Sequence, residues 1–327
     1  MKLRGIDFGH VLDASGARGF FGDGHLFHPF IPGLSFNHST FVAKTTTLHP
    51  HRGNANLCRD GMTPRILPQR SVKVNLRAAA VLNAYGLSGP GLRALLDQRR
   101  WQKMTSPFML SFMAIAGSPQ ERLEEVRGFV RVLKAELPNF AAPVGLQVNF
   151  SCPNVHADKH IDDFAAHLNE YQQLGVPIVV KLSAAQDVEL ALRIAAIDGC
   201  DALCVSNSLP WGTFPERIDW KGLFGERSPL ERFGGGGLSG APILPIVADW
   251  VKKAFGSGLR KPLNAGGGIT QPSDVDVLVN AGARSIFVGS IAICAAGVCR
   301  RRSITRIRCW PRLNRSRHKI GYTSSAL

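Results

Sequence analysis

The sequence alternates short strand-like runs with amphipathic helical segments, and this alternation constrains the fold more than any other feature. Eight strand-like runs occupy residues 9–14, 40–45, 108–114, 145–150, 177–182, 202–207, 262–266 and 285–289. Such alternation predicts an α/β protein with a parallel sheet whose strands are joined by helices. Eight units favour a closed (β/α)8 TIM barrel over residues 1–294, with an open doubly wound sheet as the alternative.

The helical segments carry recognisable start signals and an apolar stripe. Ser118 precedes Pro119 and lies three residues before Glu121, which predicts a capping box at a helix start. Apolar residues at helical spacing predict further helices over 161–171, 187–198 and 244–254.

Residues with ligand-binding side chains or glycines follow most of the strand-like runs. Because the carboxyl ends of parallel strands meet at one edge, these residues predict a single pocket. They are Ala14, Ser15, Gly16, Lys44, Thr45, Ser111, Asn149, Cys152, Lys181, Asn207, Ser208, Gly267, Gly268, Gly289 and Ser290, joined by Asn83 from a following segment.

Two glycine-rich runs, residues 234–242 and 264–269, indicate a place for a phosphate group. Glycines let backbone N–H groups approach an anion, and barrels often hold phosphate after their seventh and eighth strands. A plain flexible turn is the alternative for either run. The sequence contains no GxxxxGK[ST] motif, which excludes a P-loop.

Cys152, Lys44 and Lys181 can each be interpreted either as a structural or solvent-exposed residue or as a residue of a functional site. A free cysteine is commonly a buried structural thiol, but Cys152 follows a strand in a polar turn and could act as a general base. A covalent Cys–His hydrolase is less favoured, because the sequence fixes no histidine beside it; His156 can face solvent. Lys44 and Lys181 could extend to solvent or hold positive charge beside an electron-rich ring or a carboxylate.

The motifs KTTTL, NAYGLSGPG, NFSCPN, SNS, GGLSG, NAGGGI and FVGS occur in this order between residues 44 and 290. Over about residues 5–293 the chain resembles the dihydroorotate dehydrogenases. The resemblance implies a TIM barrel with FMN at its C-terminal face. It also implies oxidation of (S)-dihydroorotate to orotate in pyrimidine (UMP) biosynthesis. The cysteine of NFSCPN and the lack of an N-terminal extension resemble the soluble class 1 enzymes; class 2 enzymes carry serine there.

The resemblance further implies roles for single residues. Cys152 would take a proton from C5 of dihydroorotate while a hydride passes from C6 to the flavin. Substrate contacts are implied for Lys44, Asn83, Asn149, Asn154, Asn207 and Ser208. Cofactor contacts are implied for Ala14, Ser15, Gly16, Lys44, Thr45, Ser111, Asn149, Lys181, Gly240, Gly267, Gly268, Gly289 and Ser290.

Related flavin barrels remain as alternatives. Dihydropyrimidine dehydrogenase shares the GLSG motif and a cysteine, but its turn usually reads SCPH, so Asn154 favours orotate chemistry. A tRNA dihydrouridine synthase usually carries an appended helical RNA-binding domain. For class 1 enzymes the resemblance implies a homodimer and an electron acceptor that is either fumarate or an FAD/iron–sulfur partner subunit.

Cysteine use and hydropathy bear on location. The seven cysteines form no CxxC pair, so we expect reduced thiols and no metal site. The sequence has no signal-peptide pattern and no run of about 18 apolar residues, which predicts a cytoplasmic protein without a membrane partner.

The charge is uneven along the chain. Residues 295–327 hold eight arginines and Lys319 with no acidic residue, so they carry +9 of the formal net charge of +15. The rest of the chain is only mildly basic, which favours an anionic small molecule over nucleic acid. The tail lacks the expected final helix, and we favour a reading-frame slip near residue 294 over a basic surface tail. A slip would leave the chain without its last helix and could prevent folding or turnover.

Overall fold

The computed structural model describes residues 1–31, 34–65, 70–150 and 161–294. The tail of residues 295–327 and the hypothesis about it therefore lie outside the described residues. In chain order the strands are β1 (Lys2–Leu3), β2 (Ile6–Asp7), β3 (Val11–Asp13), β4 (Val72–Asn75), β5 (Ala80–Asn83), β6 (Phe108–Phe112), β7 (Val144–Asn149), β8 (Ile178–Ser183), β9 (Ala202–Asn207), β10 (Leu209–Pro210), β11 (Gly237–Gly240), β12 (Leu263–Gly266) and β13 (Ser285–Val288).

Besides a helical stretch at residues 291–294, seven helices connect and cover these strands in the described part of the chain. They are α1 (Leu92–Asp97), α2 (Pro119–Glu136), α3 (Ile161–Gln172), α4 (Val188–Ala196), α5 (Trp220–Phe224), α6 (Leu244–Gly256) and α7 (Pro272–Ala281). Short 3-10 helices occupy His28–Phe30, Leu137–Asn139, Glu231–Phe233 and Ala241–Ile243. The helices predicted from residues 161, 187 and 244 onward are confirmed as α3, α4 and α6.

The capping box at the start of α2 is also confirmed. The backbone N–H of Glu121 donates to Ser118 Oγ at 3.2 Å, and the backbone N–H of Ser118 donates to Glu121 Oε2 at 3.0 Å. Two backbone donors that a helix start leaves unpaired are thereby satisfied by side chains.

The main sheet has seven strands in the order β3-β13-β12-β9-β8-β7-β6, and every neighbouring pair is parallel. Seven of the eight predicted runs are therefore strands of one parallel sheet with intervening helices. This confirms the predicted α/β class.

The predicted strand at 40–45 is not a continuous strand. The segment instead makes isolated parallel bridges at Thr40 with Leu12 of β3, and at Val42 and Thr46 with β6. The N–H of Ala43 donates to the carbonyl of Met109 at 2.8 Å. Residues 40–46 therefore hydrogen-bond to both edge strands of the sheet.

Both faces of the sheet are buried, as expected for parallel strands. Alternate residues of β7, such as Leu146 and Val148, belong to the large cluster that includes Phe129 of α2 and Phe164 of α3. The opposite face contributes to a smaller cluster of Phe8, Leu12, Val42, Met109, Val179, Ala202 and Phe287. Within the described ranges, no helix combines the length and apolar character needed to cross a membrane.

A second sheet was not predicted. Its four antiparallel strands follow the order β10-β11-β5-β4, and Asn83 of β5 pairs with Gly237 of β11. The glycine-rich run 234–242, predicted as a turn that holds a phosphate group, thus contains strand β11. This happens because β5 offers a partner for the glycine backbone.

Candidate active site

A cavity of about 500 Å³ opens where the strands of the main sheet end. This volume lies within the range of small-molecule and cofactor sites. Most of the predicted site residues line it: Ala14, Ser15, Gly16, Lys44, Thr45, Asn83, Asn149, Lys181, Asn207, Ser208, Gly267, Gly268, Gly289 and Ser290. The structure therefore brings together residues that are as much as 276 positions apart in the sequence.

Four predicted residues are not among those lining the cavity. Cys152 and Asn154 lie outside the described residues; the preceding strand β7 ends at Asn149, which does line the cavity. Ser111 is buried, and its hydroxyl lies 2.8 Å from that of Thr45. Gly240 lies in β11, where a Cβ would come within 2.0 Å of the carbonyl oxygen of Ala79. The roles predicted for these four residues, like those predicted for the residues that line the cavity, stay predictions.

Side-chain amides and hydroxyls form a connected network along the cavity wall. Asn207 Nδ2 donates to Asn149 Oδ1 at 3.0 Å, and Asn149 Nδ2 donates to Thr45 Oγ1 at 3.4 Å. Thr45 Oγ1 also lies 3.0 Å from Ser15 Oγ. These contacts fix polar groups from several strands in one orientation, as a site for a planar polar ligand requires.

Two lysines give the cavity positive charge. Lys181 is only 6% exposed, and its Nζ lies 5.7 Å from the centre of the Phe287 ring. Lys44 Nζ donates to the carbonyl of Ser88 and lies 4.4 Å from the centre of the Phe20 ring. No carboxylate is among the described residues that line the cavity. The cavity is therefore suited to an anionic ligand.

The turn after β12 brings backbone close to the cavity at Gly267 and Gly268. Both have positive φ angles, 120° and 87°, which favour glycine. A Cβ at Gly268 would lie 2.8 Å from the carbonyl oxygen of Gly240 and 2.7 Å from the Cβ of Leu244. The predicted glycine-rich run at 264–269 thus lies beside the cavity. Its first three residues belong to β12, and the turn follows at Gly267 and Gly268.

Burial keeps the histidines near the cavity neutral. His25 lines the cavity, and burial lowers its pKa despite a hydrogen bond with the backbone of Gly16. Burial also lowers the pKa of His28 to about 4, and the repulsion that a protonated His25 or Arg18 would exert on a charged His28 ring adds to the effect. Neither ring is therefore a charged partner for an anion near neutral pH.

The buried cysteines of the described chain are poor sources of a thiolate. Burial raises the pKa of Cys200 to about 12 and that of Cys204 to about 11. Burial likewise raises the pKa of the Cys294 thiol to about 11. None of these three lines the cavity. Within the described residues, no group of three or more His, Cys, Asp or Glu side chains could hold a metal ion.

Sequence reasoning missed the apolar wall of the cavity. Val72 and Val74 of β4 and Val81 of β5 form this wall, and Ser239 of β11 lines the cavity as well, so the second sheet forms part of the site. The alternation of apolar and polar residues in VKVN at 72–75 is the strand signal that could have located β4.

Comparisons with known proteins agree with this architecture. The family model described as dihydroorotate dehydrogenase matches residues 2–306. A search of curated protein sequences found no match. Among solved structures, the crystal structure of DHODH from Eimeria tenella in complex with ferulenol has a TM-score of 0.61 and 19% sequence identity. The alignment covers 92% of this chain and 81% of that chain, and at this identity it shows a shared fold.

Proposed function

Because the chain belongs to the dihydroorotate dehydrogenase family, we propose that it oxidises (S)-dihydroorotate to orotate with bound FMN, as a step of pyrimidine (UMP) biosynthesis. The observation that carries the proposal is the composition of the cavity. Linked amides of Asn149 and Asn207 suit the polar edge of a pyrimidine ring, and Lys44 and Lys181 suit anionic groups. The product orotate carries both features, a ring amide edge and a carboxylate.

We propose that residues 40–46 are the eighth strand of a closed barrel whose C-terminal face holds FMN. Their backbone hydrogen bonds to both β3 and β6 support closure: the N–H of Asp13 donates to the carbonyl of Thr40 at 2.9 Å, and that of Thr46 to the carbonyl of Ser111 at 2.9 Å. A closed parallel barrel has no free edge, which explains why this irregular segment is held from both sides.

The described residues fit an FMN molecule. The turn at Gly267 and Gly268, with Gly289, leaves backbone that no side chain covers at one part of the wall, and Ser290 adds a hydroxyl; both suit a phosphate group. Lys181 supplies buried positive charge, which would stabilise a ring that gains electron density. When bound, FMN supplies the acceptor for the hydride that leaves C6 of the substrate.

The chain's own residues would bind and deprotonate the substrate. Lys44 is proposed to bind the carboxylate, and Asn83, Asn149, Asn207 and Ser208 to bind the ring. Cys152, with Asn154 nearby in sequence, is proposed on the basis of the NFSCPN motif as the base that removes the C5 proton. Loss of one proton and one hydride creates the ring double bond of orotate. The second substrate, fumarate or an FAD/iron–sulfur subunit, and a homodimeric, cytoplasmic enzyme are parts of the same proposal.

Purification of the full chain with FMN, followed by steady-state assays with an artificial electron acceptor, tests the proposal. We expect dihydroorotate to give orotate, detected by its ultraviolet absorbance. Turnover of uracil with NADPH instead would favour the dihydropyrimidine dehydrogenase alternative. Reduction of uridines in tRNA would favour the dihydrouridine synthase alternative. A chain that binds FMN but turns over none of these would contradict the proposed activity.

A further inference from the structure

Thr45 lies at the centre of a cluster of three hydroxyls and one amide, which we call the Thr45 cluster. Its Oγ1 lies 3.0 Å from Ser15 Oγ, 2.8 Å from Ser111 Oγ and 3.4 Å from Asn149 Nδ2. Ser15, Thr45 and Asn149 line the cavity, whereas Ser111 is buried behind them. The cluster therefore connects the cavity wall to the interior of the sheet.

Counting protons fixes the direction of every bond in the Thr45 cluster. A hydroxyl has one proton and two lone pairs. Ser15 Oγ is 2.9 Å from the carbonyl oxygen of Ala43, which can only accept, so the Ser15 proton is used there. Thr45 must therefore donate its own proton to Ser15. Thr45 then has only lone pairs left, so Ser111 Oγ–H and Asn149 Nδ2–H both donate to it.

The count leaves Thr45 Oγ1 with no hydrogen-bonding capacity for a ligand. Its proton is donated and both lone pairs accept, although the side chain lies in the cavity wall. Ser15 keeps one lone pair but no proton. At this part of the wall the two hydroxyls can therefore accept one hydrogen bond from a ligand and donate none.

The same count fixes the amide of Asn149. An asparagine amide is nearly symmetric in shape, so its partners decide which end faces which neighbour. Because Thr45 can only accept, the amino end of Asn149 faces Thr45. Its carbonyl end then faces the amino group of Asn207, which donates at 3.0 Å. If the Asn149 amide were reversed, its carbonyl oxygen would face Thr45 Oγ1, which can only accept, and its amino group would face the amino group of Asn207.

We propose that Thr45 is a positioning residue, which does not hydrogen-bond the cofactor or the substrate and instead fixes the amide orientation of Asn149. The inference rests on the proposed function, in which Asn149 binds the pyrimidine. An oriented amide discriminates between ligand edges, since a ligand with the opposite donor and acceptor order would leave buried polar groups unpaired. Ser111 supports this arrangement from behind, which explains why a predicted site residue lies outside the cavity.

Ligand affinities of the FMN-loaded full chain test this inference. FMN binding is measured by quenching of flavin fluorescence, and orotate binding by the change in the flavin absorbance spectrum. Thr45→Val should leave the FMN Kd within about threefold of wild type and raise the orotate Kd by about tenfold, as expected for one lost hydrogen bond. Thr45→Ser keeps the hydroxyl and should restore the orotate Kd.

Thr46→Val is the matched control, because among the described residues the buried Thr46 hydroxyl hydrogen-bonds only to the backbone carbonyl of Thr47, at 3.1 Å. It should leave both Kd values within about threefold. An FMN Kd that rises more than tenfold in Thr45→Val overturns the inference, because the hydroxyl would then contact the cofactor. An unchanged orotate Kd overturns it as well.

Side-chain amide NMR of the full chain, labelled with ¹⁵N-asparagine, separates this inference from the proposed function. If wild type binds neither FMN nor orotate, the proposed function fails, but the Thr45 cluster remains testable. The Asn149 side-chain signals should shift in Thr45→Val and stay in place in Thr46→Val. Signals that do not respond to Thr45→Val contradict the positioning role whether or not the ligands bind.

Discussion

Asn207 Nδ2 donates to Asn149 Oδ1 at 3.0 Å, and this bond joins the ends of β9 and β7, two strands that are not neighbours. Strand β8 lies between them and carries Lys181 two residues before its end at Ser183. The bond therefore places an amide pair across the strand that carries the buried lysine. In the proposed enzyme, amides and positive charge meet at this place.

Asn207→Ala removes the donor that faces the carbonyl of Asn149. We expect the orotate Kd to rise by about tenfold, because one hydrogen bond and the orientation of a neighbouring amide are lost. Orotate titration followed by flavin absorbance measures this. Asn139→Ala is the control, since Asn139 is exposed and its side-chain amide donates to the Glu136 carboxylate at 3.2 Å, outside the cavity. Equal Kd values for both variants would show that the amide pair does not bind the ligand.

Lys181→Met tests whether the buried ammonium serves ligand binding or stability. Replacing a buried charged side chain by an apolar one of similar volume is often neutral or stabilising, so Lys181→Met should not lower the melting temperature of the FMN-free protein. The FMN Kd should rise at least tenfold, because the described cavity wall would keep less positive charge. Lys253→Met, at an exposed position of α6, should change neither quantity. A lower melting temperature with unchanged FMN affinity would contradict this account of Lys181.

Gly268→Ala tests the close approach of backbone at the glycine turn. The φ angle of 87° and the contact of 2.8 Å between a Cβ and the Gly240 carbonyl oxygen predict a loss of about 2 kcal/mol in the free energy of unfolding. Chemical denaturation measures it. Gly256→Ala in α6 has open space around its Cβ and should be neutral or slightly stabilising. Equal stabilities of the two variants would disprove the strained approach.

His28 predicts how stability depends on pH. Its pKa is lowered from an ordinary 6.5 to about 4 in the folded protein, so between these values the unfolded chain binds more protons. Stability should be full above pH 6.5 and should fall as the pH drops towards 4, by at most about 3 kcal/mol from this residue.

Melting temperatures measured from pH 4 to 7 check the role of His28. His28→Gln keeps an acceptor for the backbone N–H of His25 and removes the titrating ring, so its curve should be flatter than that of wild type. His38→Gln, at an exposed position of the same segment, should follow wild type. If the melting temperature of His28→Gln depended on pH in the same way as that of wild type, the acid sensitivity would come from groups other than His28.

Cys152→Ser tests the proposed base. We expect the rate of flavin reduction by dihydroorotate to fall at least a hundredfold at neutral pH, because serine is a far weaker base, and to recover partly in alkali. Single-turnover kinetics across a pH series measure it. Cys58→Ser, at a half-buried position, is the control. A Cys152→Ser rate equal to wild type at neutral pH would remove Cys152 from the mechanism.

Much of the fold could be predicted because its signals are local. The apolar run at 145–150 became β7, and the Ser118–Glu121 pair caps α2 as its spacing indicates. The second sheet could not be predicted in the same way. Its strands are short, and Asn83 pairs with Gly237, more than 150 residues away, so no local pattern reports the pairing.

The site shows a similar division. Its residues were predicted from their positions at strand ends, which the cavity brings together. The position of each side chain relative to the cavity was not predictable. Ser111 and Thr45 both carry a hydroxyl towards the end of a predicted strand, and only packing places the Ser111 hydroxyl behind that of Thr45. The segment at 40–46 has strand-like residues, but it forms isolated bridges, one to β3 and two to β6, instead of a regular ladder with either strand.

Anaerobic addition of dihydroorotate to the purified, FMN-loaded chain tests the central claim most directly. The account predicts that the flavin absorbance near 450 nm, an ordinary property of oxidised flavins, is lost, with one orotate formed for each flavin reduced. A flavin that stays oxidised under excess dihydroorotate, in protein that binds FMN and melts cooperatively, would contradict the proposed function.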